Sequence, residues 1–390
     1  MHNRSRPRRT VTSMRNVGTR CSGPGPASLA FPPDPNDARR SRPVPARTLT
    51  QYLLDVGGDD RRGGCAPILS AVAVSVKVTA AMISRGALVV GGEDAPPPPD
   101  RVVNVRLRRL ATRELLARTA SLPSLAAVSV AGSQTIHQVC ETGRYLLAYE
   151  AMHGMANLAD NLPIGSAFSI LARTHGPGPC TAAEFLQPGR LQVAAGIALY
   201  GPRTTLVLTT GEGVDGFVLD RDVGNFVLVH PGLRIPAESR VFAINATEAP
   251  FWPPPVKRYV EECLRGAEGP LGHDFSMRWN ASALVGAYRV LTRGGLFLAP
   301  ATTRPQGWLA PLLYTADPLA MLAEQAGGSA TTGSQLVLDV QPDDLGARVP
   351  LFLGGTAEVD RLAGYVLEHA QGHDREFSHP LFHNRTLFAD

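Results

Sequence analysis

Lysine is almost missing from this sequence: Lys77 and Lys257 are the only two, and every other fixed positive charge is arginine. That skew reads as codon usage in a GC-rich genome and not as function. Cysteine is sparse as well. Cys21, Cys65, Cys140, Cys180 and Cys263 are scattered without a CxxC pair, which argues against a zinc site and a disulfide scaffold and suits a reducing cytoplasm. No apolar run reaches about 18 residues free of charge, so no membrane span is expected. Acids are nearly absent from residues 1–46, where Asp34 and Asp37 stand alone among Arg, Pro, Ser and Gly. Such a stretch cannot bury enough apolar surface to fold. Its composition also fits a transit peptide or a nucleic-acid arm. A disordered tail, or a start codon placed too early, fits it better, and nucleic acid is not an expected partner.

What is present is a chain of 390 residues, 44% of them hydrophobic, with a net charge of +4. That is long enough for one large domain or two subdomains. The fold is expected to start near Arg47, with a short amphipathic helix over 48–54 and a small apolar helix over 66–85 that ends at Gly86. A Pro-rich loop over 93–100 leads to a helix carrying Arg108 and Arg113. A strand over 126–131 runs into Gly132-Ser133-Gln134-Thr135.

The centre of the chain is 146–171. It opens as a buried strand, Leu146-Leu147-Ala148-Tyr149, is expected to break into a turn over 150–154, and resumes as an apolar run from Ile164 to Leu171. Glu150, His153, Gly154 and Asn157 therefore stand where a buried strand turns, a place suited to converge on a ligand. Further along, Gly211-x-Gly213-x-x-Gly216 has the spacing of a dinucleotide fingerprint. It lies between two β-runs with no helix after it, so it reads as a hairpin. The tail from Gln371 carries His373, His379 and His383, spaced as a solvated tail and not as a metal site.

The central stretch resembles the metal motif of the class I fructose-1,6-bisphosphatases, Phe-Asp-Pro-Leu-Asp-Gly-Ser-Ser-Asn-Ile-Asp. Tyr149, Glu150, Gly154, Asn157, Asn161, Gly165 and Phe168 keep its frame. The likeness extends over 47 to about 367. It includes Arg85-Gly86-Ala87-Leu88, Ala243-Ile244-Asn245, the Phe251–Cys263 segment typical of the bacterial long form, Phe275-Ser276-Met277-Arg278-Trp279, and Glu324 to Gly333. It implies an α/β fold in α-β-α-β-α layers with mixed sheets. It implies an N-terminal metal and AMP subdomain over 47–240, a sugar-phosphate subdomain over 241–370 and a tail over 371–390. It further implies magnesium as cofactor, a sugar phosphate as ligand, cytoplasmic carbohydrate metabolism and an oligomer. Gly154, Asn245 and Arg278 match substrate residues, and in the family that Arg reaches a neighbouring subunit's substrate. Glu150, Met152 and His153 fall at the metal positions. Arg144 and Tyr145 keep the character of the AMP site, but Ala66 lacks the matching hydroxyl, so AMP control gains little support.

The chemistry departs from the pattern at almost every acid. Arg108 stands for a catalytic Asp and Arg113 for an Asn; Gln134 and Thr135 replace two metal-binding glutamates. His153 and Ala159 replace aspartates, Met155 and Ala156 the phosphate-facing serines, Ala299 a sugar-site Tyr, Leu309 a phosphate Lys, and Thr315 a metal-binding Glu. Magnesium demands several hard oxygen ligands, and hydrolysis of a phosphate ester by this family depends on such ions. The expected reading is a catalytically inactive family member with no metal bound. The first alternative is a working fructose-1,6-bisphosphatase giving fructose 6-phosphate and phosphate. The second is an altered hydrolase using Glu150 and His153 with zinc or manganese, for which Asp160 or Asp317 would be the third ligand. A buried His with a satisfied hydrogen bond is the plainer account of His153.

Overall fold

The computed structural model describes residues 47–57, 63–90, 99–236, 239–305 and 307–373. The expected disordered tail over 1–46 and the His-rich end beyond 373 lie outside them. The chain opens with helices α1 (Leu49–Gly57), α2 (Ala66–Arg85), the single turn α3 (Ala87–Val90) and α4 (Asp100–Thr119). Strands β1 (Leu125–Val130), β2 (Ile136–Gln138) and β3 (Tyr145–His153) follow, then a helical turn α5 (Ala156–Ala159). Next come β4 (Ile164–Ala172), β5 (Gln192–Tyr200), β6 (Thr204–Thr209), β7 (Asp215–Asp220) and β8 (Asn225–His230). The second half runs β9 (Val241–Ala243), α6 (Pro254–Leu264), β10 (Ser276–Met277), α7 (Ala283–Arg293), β11 (Leu296–Ala299) and β12 (Ala310–Pro311). It closes with α8 (Asp317–Gln325), β13 (Ser329–Thr331), β14 (Arg348–Val349), β15 (Leu351–Gly354) and α9 (Thr356–Ala370).

Side-chain alternation builds the layers. The eight-stranded sheet has the order β2-β1-β3-β4-β5-β6-β7-β8, with β1 parallel to β3 and every other pair antiparallel. On β5, Ala194, Ala198 and Tyr200 face one core with Leu69, Val72 and Val76 of α2 and Leu107 of α4. Ala195, Ile197 and Leu199 face the other core with α7 and α8. A period of two with both faces apolar is what a sheet covered on both sides requires. The five-stranded sheet, β10-β9-β11-β15-β13, repeats the device. Phe297 and Ala299 share the core of α7 and α8, whereas Leu296 and Leu298 pack with Val256 and Tyr259 of α6 and Leu362 of α9. The result is α-β-α-β-α with mixed sheets, as the sequence led one to expect. Gly196 lets the Phe168 ring cross the sheet: a Cβ there would lie 2.5 Å from it.

Helix α2 is long and apolar enough to cross a membrane by length and composition. Its Ile68, Leu69, Val72, Val76 and Ala80 are core residues, and Lys77 donates from it to the Gly224 carbonyl at 2.9 Å. It is a core helix. The GxGxxG stretch is the β6–β7 connection, with Gly211 and Gly213 at positive φ. The strand read as ending at Tyr149 instead continues to His153. A bulge between Glu150 and His153 lets pairing with β4 go on to Gly165, so the polar residues interrupt the apolar pattern but not the ladder.

Asp317 opens α8 almost fully buried, with no hydrogen-bond partner on either carboxylate oxygen. Burial pushes its carboxyl well above the ordinary aspartate range. A raised folded-state value means that the folded form holds a proton the unfolded chain gives up, so stability is greatest in acid and falls as pH rises. Asp317→Asn is expected to raise the melting temperature at neutral pH, by a gain of the order of 1 kcal/mol. The gain should vanish in acid; thermal melts across pH read both.

Candidate active site

The bulge at the end of β3 sets the site. Glu150 and His153, three residues apart, pair through Glu150 Oε1 and His153 Nδ1 at 2.9 Å. His153 is 7% exposed, and its Nε2 accepts the backbone N–H of Ala283 at 3.2 Å. An accepting Nε2 carries no proton, so Nδ1 holds it and donates to Glu150. Thr315, fully buried in the π-helical turn Leu312–Ala316, donates its hydroxyl to Glu150 Oε2 at 2.6 Å. Both carboxylate oxygens are therefore taken by protein donors. Burial alone would raise the Glu150 carboxyl; its interaction with His153, the Thr315 hydroxyl and the Arg348 guanidinium hold it below the ordinary glutamate range.

The chain then turns at Gly154, φ 74°. A Cβ there would stand 2.9 Å from that of Ser282, so both the conformation and the space call for glycine. Asn157 fixes the following turn, donating to the Pro163 carbonyl at 3.1 Å and to Asn280 at 2.8 Å. The frame residues are thus tied into the fold.

Two cavities meet at Glu150, Pro311 and Arg348, which line both. The first, about 460 Å³, is walled by Gly154, Met155, Asn245, Ala299 and the chain's three tryptophans, Trp252, Trp279 and Trp308. Trp308 stands edge-on to His153 at 6.0 Å, and Trp279 stacks on Phe297 at 6.1 Å. Glu248 Oε2, Ser282 Oγ and Thr302 Oγ1 of its lining residues are buried without partners. The second, about 740 Å³, is walled by Arg108, Arg109, Arg113, Gln134, His137, Met152 and Arg348.

The structure brings together Glu150, Met152, His153, Gly154, Asn245, Arg108 and Gln134 around these two cavities, with Thr315 buried behind them on Glu150. It leaves Thr135, Ala159 and Arg278 outside both linings; Ala159 and Arg278 are exposed, and Arg278 donates to the Met277 carbonyl at 3.1 Å. Sequence reasoning missed Arg348, Trp308 and Arg109. That all three tryptophans fall within 252–308 was the available signal; Arg348 sits in Ala347-Arg348-Val349 without any motif.

Magnesium, implied by the family resemblance, does not fit these residues. Each Glu150 oxygen already accepts a protein hydrogen bond, and four arginines line the neighbouring cavity, where this carboxylate is the single acid. Among the described residues no three His, Cys, Asp or Glu side chains come together as metal ligands. The same finding removes Asp160 and Asp317 as third ligands for zinc or manganese. No step through a metal is derived.

A five-layered α/β body with a cavity at a strand end, between a mixed eight-stranded and a mixed five-stranded sheet, is the architecture of a sugar phosphatase. The sequence matches the N-terminal domain model of fructose-1,6-bisphosphatase over residues 47–231 and the C-terminal domain model over 235–367. This chain belongs to the class 1 fructose-1,6-bisphosphatase family. It is 39% identical over 359 residues to the class 1 fructose-1,6-bisphosphatase of Methylacidiphilum infernorum, covering 88% of this chain and 98% of that one. It is 41% identical over 362 residues to that of Hydrogenophilus thermoluteolus, covering 88% and 97%. Among solved structures it is similar to the Leishmania major fructose-1,6-bisphosphatase in holo form, with TM-score 0.72 and 28% identity over 82% of this chain and 99% of that one.

Proposed function

We propose that this protein retains the bisphosphatase fold and a ligand cavity but does not hydrolyse fructose 1,6-bisphosphate. One observation carries this: the carboxylate best placed to hold a metal, Glu150, is closed on one oxygen by His153 and on the other by Thr315. Thr315 stands where the family resemblance puts a metal-binding Glu, so a ligand has become a donor that satisfies the remaining one. The role left is that of a pairing subunit or a ligand sensor in cytoplasmic carbohydrate metabolism. Arg278, exposed and outside its own cavities, favours a homo-oligomer or a pairing with an active homologue.

A second reading, an ordinary fructose-1,6-bisphosphatase, is favoured by the names of the relatives, which match over nearly their whole length. Release of phosphate from fructose 1,6-bisphosphate in magnesium separates the two. The expected result is release no faster than in the absence of protein.

A further inference from the structure

Helix α4 carries positive charge that no protein group answers. Arg108, Arg109 and Arg113 are exposed, line one cavity, and make no ion pair or hydrogen bond among the described residues. Arg109 and Arg113 are one turn apart, an arrangement that repels on a helix. Arg348 adds a fourth guanidinium to the lining from β14, with Nη1 held by the Leu309 carbonyl at 3.0 Å. The single acid in this lining is Glu150, and its oxygens are already engaged by His153 and Thr315. The cavity is therefore a concave surface of excess positive charge, and guanidinium groups match the oxygens of a phosphate in geometry as well as charge. Past Glu150 and Arg348 it adjoins the cavity of the three tryptophans, which offers ring faces and the unpartnered Ser282 and Thr302 hydroxyls.

We propose that the arginine cavity binds the phosphate group of an organic phosphate without a metal ion, and that the body of this ligand lies in the tryptophan-lined cavity. Arg108 and Arg113 take over, by direct charge, a task that metal ions perform where the acids are intact. The inference concerns binding alone and stands whether or not the chain turns over a substrate.

The test is calorimetry and tryptophan fluorescence on the full chain in EDTA, with fructose 1,6-bisphosphate and inorganic phosphate as probes. Fructose 1,6-bisphosphate is expected to bind and to change the tryptophan emission. Inorganic phosphate should bind more weakly and leave the emission unchanged. The double variant R108A/R113A should weaken fructose 1,6-bisphosphate by about tenfold or more, the loss typical of a charged hydrogen bond. Arg203→Ala, an exposed arginine outside both cavities, should bind as the parent does. Because both altered side chains are exposed and make no ion pair or hydrogen bond among the described residues, R108A/R113A should melt no lower than the parent, which separates lost binding from lost folding. Absence of binding in EDTA, equal affinity in R108A/R113A, or inorganic phosphate binding as tightly as the ester would overturn the proposal.

Discussion

His153→Asp, Thr315→Glu and the two together are expected to leave phosphate release from fructose 1,6-bisphosphate at background. Each restores an acid at a position where the family resemblance places a metal ligand. Gln134, Thr135 and Ala159 would still offer no carboxylate, and Arg108, Arg109 and Arg113 would still face the place where a cation must sit. One lost oriented charge typically lowers a rate by about 10²–10³. Groups that act as a unit do not contribute separately, so replacing one or two of many returns little. A steady-state phosphate assay checks this. A single substitution that produced magnesium-dependent turnover would show the remaining ligands to be sufficient.

His153→Ala should destabilise the fold by about 3 kcal/mol. It orphans the Ala283 N–H and Glu150 Oε1 at once, in a place where His153 is buried. The loss should depend on pH. Glu150 has a depressed folded-state value, so its contribution is complete above the ordinary glutamate value and is lost as pH falls through the folded one. Without His153 the depression shrinks, and the variant's deficit should be largest near neutrality and narrow in acid. Denaturant unfolding at several pH values measures this. In a vacant cluster of metal-binding acids, removing a ligand would relieve repulsion and raise stability, so an unchanged or raised midpoint for His153→Ala would count against the closed pair.

The layers were legible in the sequence because burial on both faces writes itself into a strand as a largely apolar run, as in β4, β5 and the first half of β3. The β6–β7 hairpin was legible because glycines at positive φ stood between two strands rather than before a helix. The end of β3 was misplaced for a physical reason. Glu150 and His153 are polar, yet they remain in the ladder because they satisfy one another and Thr315 inside it, and that pairing spans 165 positions of sequence. Arg348 and Trp308 were not legible at all. Arg348 reaches the site from β14 and Trp308 from just ahead of β12, and nothing local marks an arginine or a tryptophan as facing a cavity. The substitutions at Arg108 and Gln134 were visible one by one; that they share a wall with Arg348 is a fact of packing.

The proposed loss of the family's metal chemistry from this fold has a direct test. The most direct measurement is phosphate release from fructose 1,6-bisphosphate by the purified wild-type chain in magnesium, beside the 41% identical enzyme of Hydrogenophilus thermoluteolus. Release by this chain is expected to be indistinguishable from a protein-free control, while the relative turns over. Turnover by this chain at about one per second or faster, within the ordinary range of enzymes, would contradict it.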